Sequence, residues 1–397
     1  MKKQFPHIVT LYLFILLTAF SCSKDPLPDP PIIKPEGRTL LVYIALNNSL
    51  DNEIKDIHDA LKEGWDSKTM GSLVILTHSN GDDSPMLIKL KEHNNISVAD
   101  TLKWYTGMSS ASPALIRQVI ADTKEIAPGK SYGMILFSHA SGWLPARAYI
   151  NPIKWEASRE ENSMVTTYSI FEDWDVDEYD KQEMEFADFA EAIPDGMFEF
   201  IASEMCFMSS VETGYALRNK TDYLLAAAPE VLSPGFTPIY PTQLGLLYKK
   251  EPDLKGFGQA FFDYFDGQQG ELRSAVISLV KTSEMDALAE LTHRISLPSL
   301  TQEQIDNIQE YDGNYRNASW PHLFFDFEDY MSQNATTQQL EELKEQLSKT
   351  VIFKRNTPKL ININIRKHSG LSVYIPQASL PKLNEAYMET DWWKAVN

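Results

Sequence analysis

Two short segments carry the residue types that nucleophilic catalysis requires. Segment 138–143 reads Ser-His-Ala-Ser-Gly-Trp and contains His139, and segment 203–208 reads Ser-Glu-Met-Cys-Phe-Met and contains Cys206. Each segment directly follows a run of strand-forming residues. The carboxyl ends of neighbouring parallel strands meet at one edge of a sheet, so this spacing predicts that the two side chains converge there as a Cys/His pair.

The cysteine count gives this pair an alternative reading. Cys22 and Cys206 are the two cysteines of the chain. A free cysteine often serves as a small buried apolar residue, and a histidine at the end of a strand is often structural. The remaining histidines show no comparable pairing with a nucleophile. From the residues alone, a catalytic pair and a purely structural one both stay open.

One acidic segment resembles the start of a calcium-binding loop. Asp173, Asp175 and Asp177 alternate as calcium ligands do, but the sixth position is Glu178 instead of glycine and the twelfth is Met184 instead of glutamate. These two positions exclude an EF-hand. A looser calcium site remains open, and the sequence indicates no other cofactor.

The elements around these segments are typical of an α/β protein with a mostly parallel sheet. A near-continuous apolar run at 40–46 predicts a strand that is buried on both faces. Further strands and helices alternate along the chain, as βαβ units do. The predicted strands are 73–77, 86–90, 132–137, 197–202, 223–228 and 275–280, and the predicted helices include 54–65, 112–127, 184–192 and 211–217. A long surface loop is expected at 145–183, and a final strand pair at 359–365 and 371–375.

The first residues resemble a bacterial lipoprotein signal. Lys2 and Lys3 precede an apolar stretch at 8–19, which is short for a membrane-spanning helix, and small residues lead to Cys22. We expect a signal peptide at 1–21, a lipid on Cys22, and a proline-rich tether at 22–36. The protein would then be exported and membrane-anchored, on the periplasmic side or at the cell surface. Plain secretion is the alternative.

The charge balance disfavours one class of partner. The chain has 36 basic and 55 acidic side chains, a formal net charge of −19. Nucleic-acid binding needs a basic surface, so we expect no nucleic-acid partner. The balance is compatible with cationic peptides as substrates, although net charge speaks mainly to solubility and steering.

The two segments and their surroundings resemble the clostripain-like cysteine peptidases, which have a caspase-like fold. The family pattern is His-Gly-x-Gly-Trp followed by Asp-Ala-Cys-Leu-Met, and this chain has Ser138-His139-x-x-Gly142-Trp143 and Glu204-x-Cys206-Phe207-Met208. The resemblance extends to the segments 41–51, 222–235 and 369–376, and so covers about 38–397. It implies a caspase-like peptidase domain at 37–270, with a smaller α+β part at 271–397 packed on it.

The resemblance also implies a role for each matching residue. Cys206 would be the nucleophile that forms a thioester, and His139 would be the general acid and base. The backbone N–H groups of Ala140 and Cys206 would form the oxyanion hole. Glu204 would line a pocket for an Arg or Lys side chain before the cut bond. The partners expected from this are peptides or proteins as substrates, and a membrane through the lipid.

Several positions depart from the family pattern. Ala140 replaces a glycine, which matters only where the backbone needs a positive φ. Met205 replaces a small alanine beside the nucleophile, and Glu204 is longer by one methylene than the usual aspartate. The loop at 234–237 lacks a second carboxylate that some members bring to the specificity pocket. These departures motivate the alternative that the protein is an inactive relative that acts as a surface binding protein.

Family members often cut themselves between the histidine and the cysteine. The segment 145–183 lies in this interval and contains Lys154, Arg159 and Lys181 as candidate cleavage positions. We therefore expect self-cleavage within 145–183.

Overall fold

The computed structural model describes residues 37–94, 96–158, 170–174, 181–313 and 319–397. These residues belong to one compact unit, Pro35–Asn397. The expected signal peptide at 1–21 and tether at 22–36, together with Cys22, lie outside the described residues.

Strands and helices alternate along most of the described chain. The strands are β1 (Arg38–Leu46), β2 (Leu73–Ser79), β3 (Met86–His93), β4 (Ile96–Trp104), β5 (Ser131–Phe137), β6 (Ile170–Trp174), β7 (Lys181–Met184), β8 (Phe198–Ser203), β9 (Thr221–Ala226), β10 (Val276–Lys281), β11 (Phe325–Asp326), β12 (Val351–Asn356), β13 (Lys359–Leu360), β14 (Ile363–Asn364) and β15 (Ser372–Val373). The α-helices are α1 (Ile54–Gly64), α2 (Pro113–Ile126), α3 (Pro152–Ser158), α4 (Phe186–Ala192), α5 (Val211–Ala216), α6 (Tyr240–Gln243), α7 (Leu254–Asp266), α8 (Met285–Ile295), α9 (Gln302–Ile305), α10 (Phe327–Met331), α11 (Thr337–Thr350), α12 (Pro381–Met388) and α13 (Asp391–Val396).

A large sheet runs through the middle of the fold. In the described residues it has nine strands, in the order β12-β10-β9-β8-β5-β1-β2-β3-β4. The central strands β9, β8, β5, β1 and β2 are parallel, and the outer strands on both sides are antiparallel. Strand β1 is buried along its whole length, as its apolar sequence predicts for a strand covered on both faces.

Each face of the sheet has its own hydrophobic core. Successive residues of a strand point to opposite faces, so Val42 and Tyr43 of β1 enter different clusters. The cluster around Tyr43 includes apolar residues of α2, α5 and α8, and the cluster around Val42 includes those of α1 and α7. The predicted α/β fold, with a mostly parallel sheet and helices on both faces, is confirmed.

The segment 145–183 is more regular than the sequence suggested. The described parts contain helix α3 and an antiparallel hairpin of β6 and β7, so the prediction of one long surface loop was wrong there. Phe171 of β6 is buried, with its ring centroid 5.0 Å from Tyr43 and 5.7 Å from Phe189. The acidic sequence concealed this strand because one of its carboxylates, that of Asp173, lies buried among protein donors.

Two edges of the fold also differ from the prediction. Strands β4 and β12 were not expected, because both are rich in polar residues and belong to the outer part of the sheet. The expected pairing of 359–365 with 371–375 was wrong: β13 pairs with β14, and β15 pairs with β11.

Strands β10 and β12 of the later chain extend the main sheet, and the division into 37–270 and 271–397 stays a proposal.

Candidate active site

The register of the central sheet brings the two chemical segments to one edge. Strands β5 and β8 are parallel neighbours, and Leu136 of β5 pairs with Ser203 of β8. His139 and Cys206 each come three residues after this pair (136 + 3 and 203 + 3). The Glu204 N–H donates a hydrogen bond to the Leu136 carbonyl at 2.9 Å, so the two chain segments stay adjacent as they leave the sheet.

The loops that carry the two residues pack directly on each other. Gly142 has a φ of +59°, and a Cβ at this position would lie 2.8 Å from the Phe207 carbonyl oxygen. Only glycine fits this conformation and this close approach without displacing the neighbouring backbone. Phe207 itself is buried and stacks on Phe324 with ring centroids 4.1 Å apart. The glycine of the histidine segment is therefore a packing requirement of the cysteine segment.

His139 contacts the loop that follows β1. The Oγ atom of Ser49 lies 2.9 Å from Nε2 of His139. The His139 carbonyl accepts a hydrogen bond of 3.1 Å from the Phe171 N–H, so the hairpin of β6 and β7 also holds this backbone. The sequence reasoning missed Ser49, although its place directly after a buried strand puts it at the same sheet edge.

Cys206 is partly buried, and the structure disfavours its charged form. Burial raises the pKa of the Cys206 thiol to about 12, and the negative charge of Glu230 adds to this. The Val231 N–H lies 3.4 Å from Sγ and acts in the opposite direction. The intact chain therefore holds this thiol in its protonated form at neutral pH.

The backbone N–H groups expected at the oxyanion hole, those of Ala140 and Cys206, have no backbone acceptor in the described part of the chain. The Cys206 N–H acts on its own thiol, whose pKa it lowers. Ala140 does not have a positive φ, so its Cβ causes no backbone strain. Met205 is fully buried in the core, so its side chain does not occupy accessible space beside Cys206.

Glu204 lies in the interior beside the segment 229–237. Its Oε2 accepts a hydrogen bond from the Phe236 N–H, and its Oε1 accepts one from the Tyr240 hydroxyl. Burial raises the pKa of the Glu204 carboxyl to about 8, against these two hydrogen bonds, and the charge of Glu53 raises it further. Without a cationic partner, this carboxyl is largely protonated at neutral pH.

The Asp173 carboxylate is buried and accepts hydrogen bonds from other parts of the protein. Its Oδ1 accepts from Asn47 Nδ2 at 2.6 Å, and its Oδ2 accepts from Ser109 Oγ at 2.5 Å and from the Ser110 N–H at 2.7 Å. Burial raises the pKa of Asp173, but hydrogen bonds and the nearby His78 outweigh this and lower it to about 2. This carboxylate therefore anchors the β6–β7 hairpin to the loops after β1 and before α2.

The geometry lends no support to a metal at this place. In the parts of the chain that the structure describes, no three His, Cys, Asp or Glu side chains are grouped as metal ligands. Asp173 uses both oxygens on protein donors, and Asp175 and Asp177 lie outside the described residues. The calcium expectation stays untested.

Of the three candidate cleavage positions, the structure describes the side chain of Lys154 alone. Lys154 is exposed on helix α3, whereas Arg159 and the side chain of Lys181 lie outside the described residues.

None of the helices described here has the length and apolar character needed to cross a bilayer.

The comparisons with known proteins agree with the observed fold. The model of the clostripain family matches residues 42–375. The crystal structure of an inactive zymogen of a C11 protease from Parabacteroides distasonis is similar at 31% identity and a TM-score of 0.76, over 92% of this chain and 99% of that chain. A secreted C11 cysteine protease from Bacteroides thetaiotaomicron, solved with an irreversible peptide inhibitor, has 24% identity and a TM-score of 0.74, over 91% and 99%, and supports the fold alone. No curated protein matches the chain.

Proposed function

The chain belongs to the clostripain family of cysteine peptidases, and on this premise we propose that it is an endopeptidase in which Cys206 and His139 carry the reaction. The observation that supports this assignment is the register of β5 and β8. It places both residues at equal distances beyond a paired position, at the carboxyl edge of the sheet. This edge is where parallel α/β sheets bind their substrates.

The chemistry follows from the roles of the two side chains. The Cys206 sulfur attacks the carbonyl carbon of the peptide bond, and the oxygen takes the negative charge beside the Ala140 and Cys206 N–H groups. His139 takes the thiol proton as the sulfur attacks and gives it to the leaving amine as the C–N bond breaks, which leaves a thioester. His139 then takes a proton from water, whose oxygen attacks the thioester carbonyl. The C–S bond breaks, the carboxylic acid product leaves, and His139 returns the proton to the sulfur, which restores the thiol.

Ser49 supports this role of the histidine. Its Oγ atom lies 2.9 Å from Nε2 of His139, and this contact restricts the rotation of the imidazole ring. Ser49 is thus a positioning residue for the general acid and base.

The intact chain is proposed to be a low-activity precursor. The raised pKa of the Cys206 thiol opposes formation of the thiolate that attacks the substrate. The hairpin of β6 and β7 lies in the sequence between histidine and cysteine and binds the His139 carbonyl. A cut within 145–183, at Lys154, Arg159 or Lys181, would release this constraint. The inactive zymogen state of the Parabacteroides distasonis protein agrees with such a step.

The substrate preference is proposed to be Arg or Lys before the cut bond. Glu204 is the acidic residue two positions before the nucleophile, and its buried carboxyl has no cationic partner among the described residues. A buried carboxyl gains most from a cation that arrives with its own hydrogen-bond donors.

The protein is further proposed to be an exported lipoprotein with lipid on Cys22. The support is the sequence of the first 22 residues. Membrane association of the full chain that is lost in Cys22→Ala would support the anchor. A soluble mature protein that starts elsewhere than Cys22 would refute it.

Hydrolysis of fluorogenic peptides tests the enzymatic proposal. Peptides that end in Arg, Lys, Asp or Leu are offered to residues 23–397, before and after a cut within 145–183, with and without calcium. Cys206→Ala and His139→Ala serve as matched variants. Cleavage after Arg or Lys that both variants abolish is the expected result. No turnover by the cut chain, together with no alkylation of Cys206, would favour the inactive binding protein instead.

A further inference from the structure

Glu53 lies in the same loop region as the residue that contacts the candidate general base. The loop after β1 contains Ser49, which binds His139, and ends in a short turn at Asp51–Glu53 that leads into helix α1. Glu53 is partly buried and makes no capping hydrogen bond from its side chain to α1. The helix therefore does not explain why a carboxylate stands at this position.

The segment 229–237 connects Glu53 with the nucleophile and with Glu204. Near its start, the Val231 N–H contacts Cys206 Sγ at 3.4 Å. In its middle, the exposed Ser233 side chain lies close enough to the Glu53 carboxyl to lower its pKa. Near its end, the Phe236 N–H binds Glu204. One stretch of chain thus contacts all three side chains, and Glu53 and Glu204 are close enough for the charge of one to raise the pKa of the other.

One carboxylate oxygen of Glu53 is a buried, unsatisfied hydrogen-bond acceptor. Oε2 is excluded from solvent and has no hydrogen-bond partner among the described residues. Buried carboxylate oxygens are nearly always paired, because an unpaired one costs free energy. Burial raises the pKa of Glu53, against the effect of the Ser233 side chain, and the charge of Asp56 raises it further. A cationic donor would relieve both the unpaired oxygen and the repulsion with Glu204.

We propose that Glu53 is a second specificity-determining carboxylate, which joins Glu204 in binding the cationic side chain that precedes the cut bond. This inference rests on the proposed peptidase function. The partial exposure of Glu53 lets the incoming cation reach its carboxyl from the surface. A guanidinium has five donors in a planar fork and reaches two carboxylates at once, whereas an ammonium is a compact charge with three. Glu53 therefore favours Arg over Lys.

The test compares Glu53→Gln with Glu63→Gln, which removes an exposed acid from helix α1. Peptides identical except for Arg, Lys, citrulline or norleucine before the cut bond are measured with both variants and the parent. We expect Glu53→Gln to lower kcat/KM about 10- to 100-fold for Arg, the effect of losing a charge-assisted hydrogen bond. The loss for Lys should be smaller, citrulline and norleucine should change little, and Glu63→Gln should resemble the parent. An equal loss on all four peptides, or none, would overturn the proposal.

A binding measurement separates this inference from the peptidase assignment. Benzamidine carries an amidinium that mimics the arginine head group, and its binding to the cut Cys206→Ala protein requires no catalysis. We expect Glu53→Gln to weaken this binding at least tenfold, with an unchanged melting temperature in the absence of benzamidine. Glu53-dependent binding without turnover by the parent would retain the pocket and reject the peptidase function. Binding that is unaffected by Glu53→Gln would reject the pocket assignment of Glu53.

Discussion

The Cys206 thiol should react slowly with iodoacetamide as long as the chain is intact. Its pKa rises from 9.0 to about 12, first because the thiol is buried and then because Glu230 is negatively charged. A rise of three units lowers the thiolate fraction at neutral pH about 1,000-fold. A more basic thiolate is also a better nucleophile, and a Brønsted slope of 0.4–0.5 restores about 16- to 32-fold. The net expectation is alkylation about 30- to 60-fold slower than for an ordinary thiol.

The measurement is the alkylation rate of residues 23–397, in which Cys206 is the sole cysteine, followed by intact mass from about pH 7 to pH 10.5. The rate should rise about tenfold per pH unit without a plateau, because the thiol is still far from its pKa. The same chain unfolded in urea is the control, and should level off near the ordinary cysteine pKa. A plateau below about pH 9 in the folded chain would refute the reasoning.

The same assay shows which contributions control the thiol. Glu230→Gln removes the nearby negative charge and should speed the reaction, while Tyr149, which donates a hydrogen bond of 2.8 Å to Glu230, can still bind the glutamine oxygen. A cut within 145–183 should speed it further if the hairpin of β6 and β7 holds the inactive state. Unchanged reactivity after a complete cut would contradict the precursor proposal.

Three further perturbations test the positioning and charge of the site. Ser49→Ala should lower kcat about 3- to 10-fold and shift the pH profile of kcat, because His139 loses one hydrogen bond. Ser49→Thr should restore both properties, and an effect on KM alone would contradict the positioning role. Asp173→Ala should lower the free energy of unfolding, measured by urea titration, by about 2–4 kcal/mol because buried donors lose their acceptor. A change below about 0.5 kcal/mol would contradict the anchoring role of Asp173. For an Arg peptide, 1/KM should rise most steeply around pH 8 and level off above about pH 9, because Glu204 ionises with a pKa of about 8 beside Tyr240 and Glu53. A citrulline peptide should show no such rise.

The sequence determined the strands of the central parallel sheet and the location of the catalytic candidates. Apolar runs such as 40–46 predict buried strands because a strand covered on both faces needs apolar residues at every position. His139 and Cys206 were predicted at strand ends because a motif and the strand before it are neighbours in the chain. Strand positions and motif positions depend on residues that are close in the chain, so the sequence alone is enough to predict them.

Only the tertiary structure decided how these groups are charged and held. Asp173 looked like a solvated or metal-binding acid, yet it is buried among donors from two other loops. Ser49 and His139 are 90 positions apart, and the Ser233 side chain that lowers the pKa of Glu53 comes 180 positions later (233 − 53). A pKa or an unpaired oxygen depends on desolvation and on neighbours that folding brings together. Distant segments supply these neighbours, and no pattern within a short stretch of sequence encodes them.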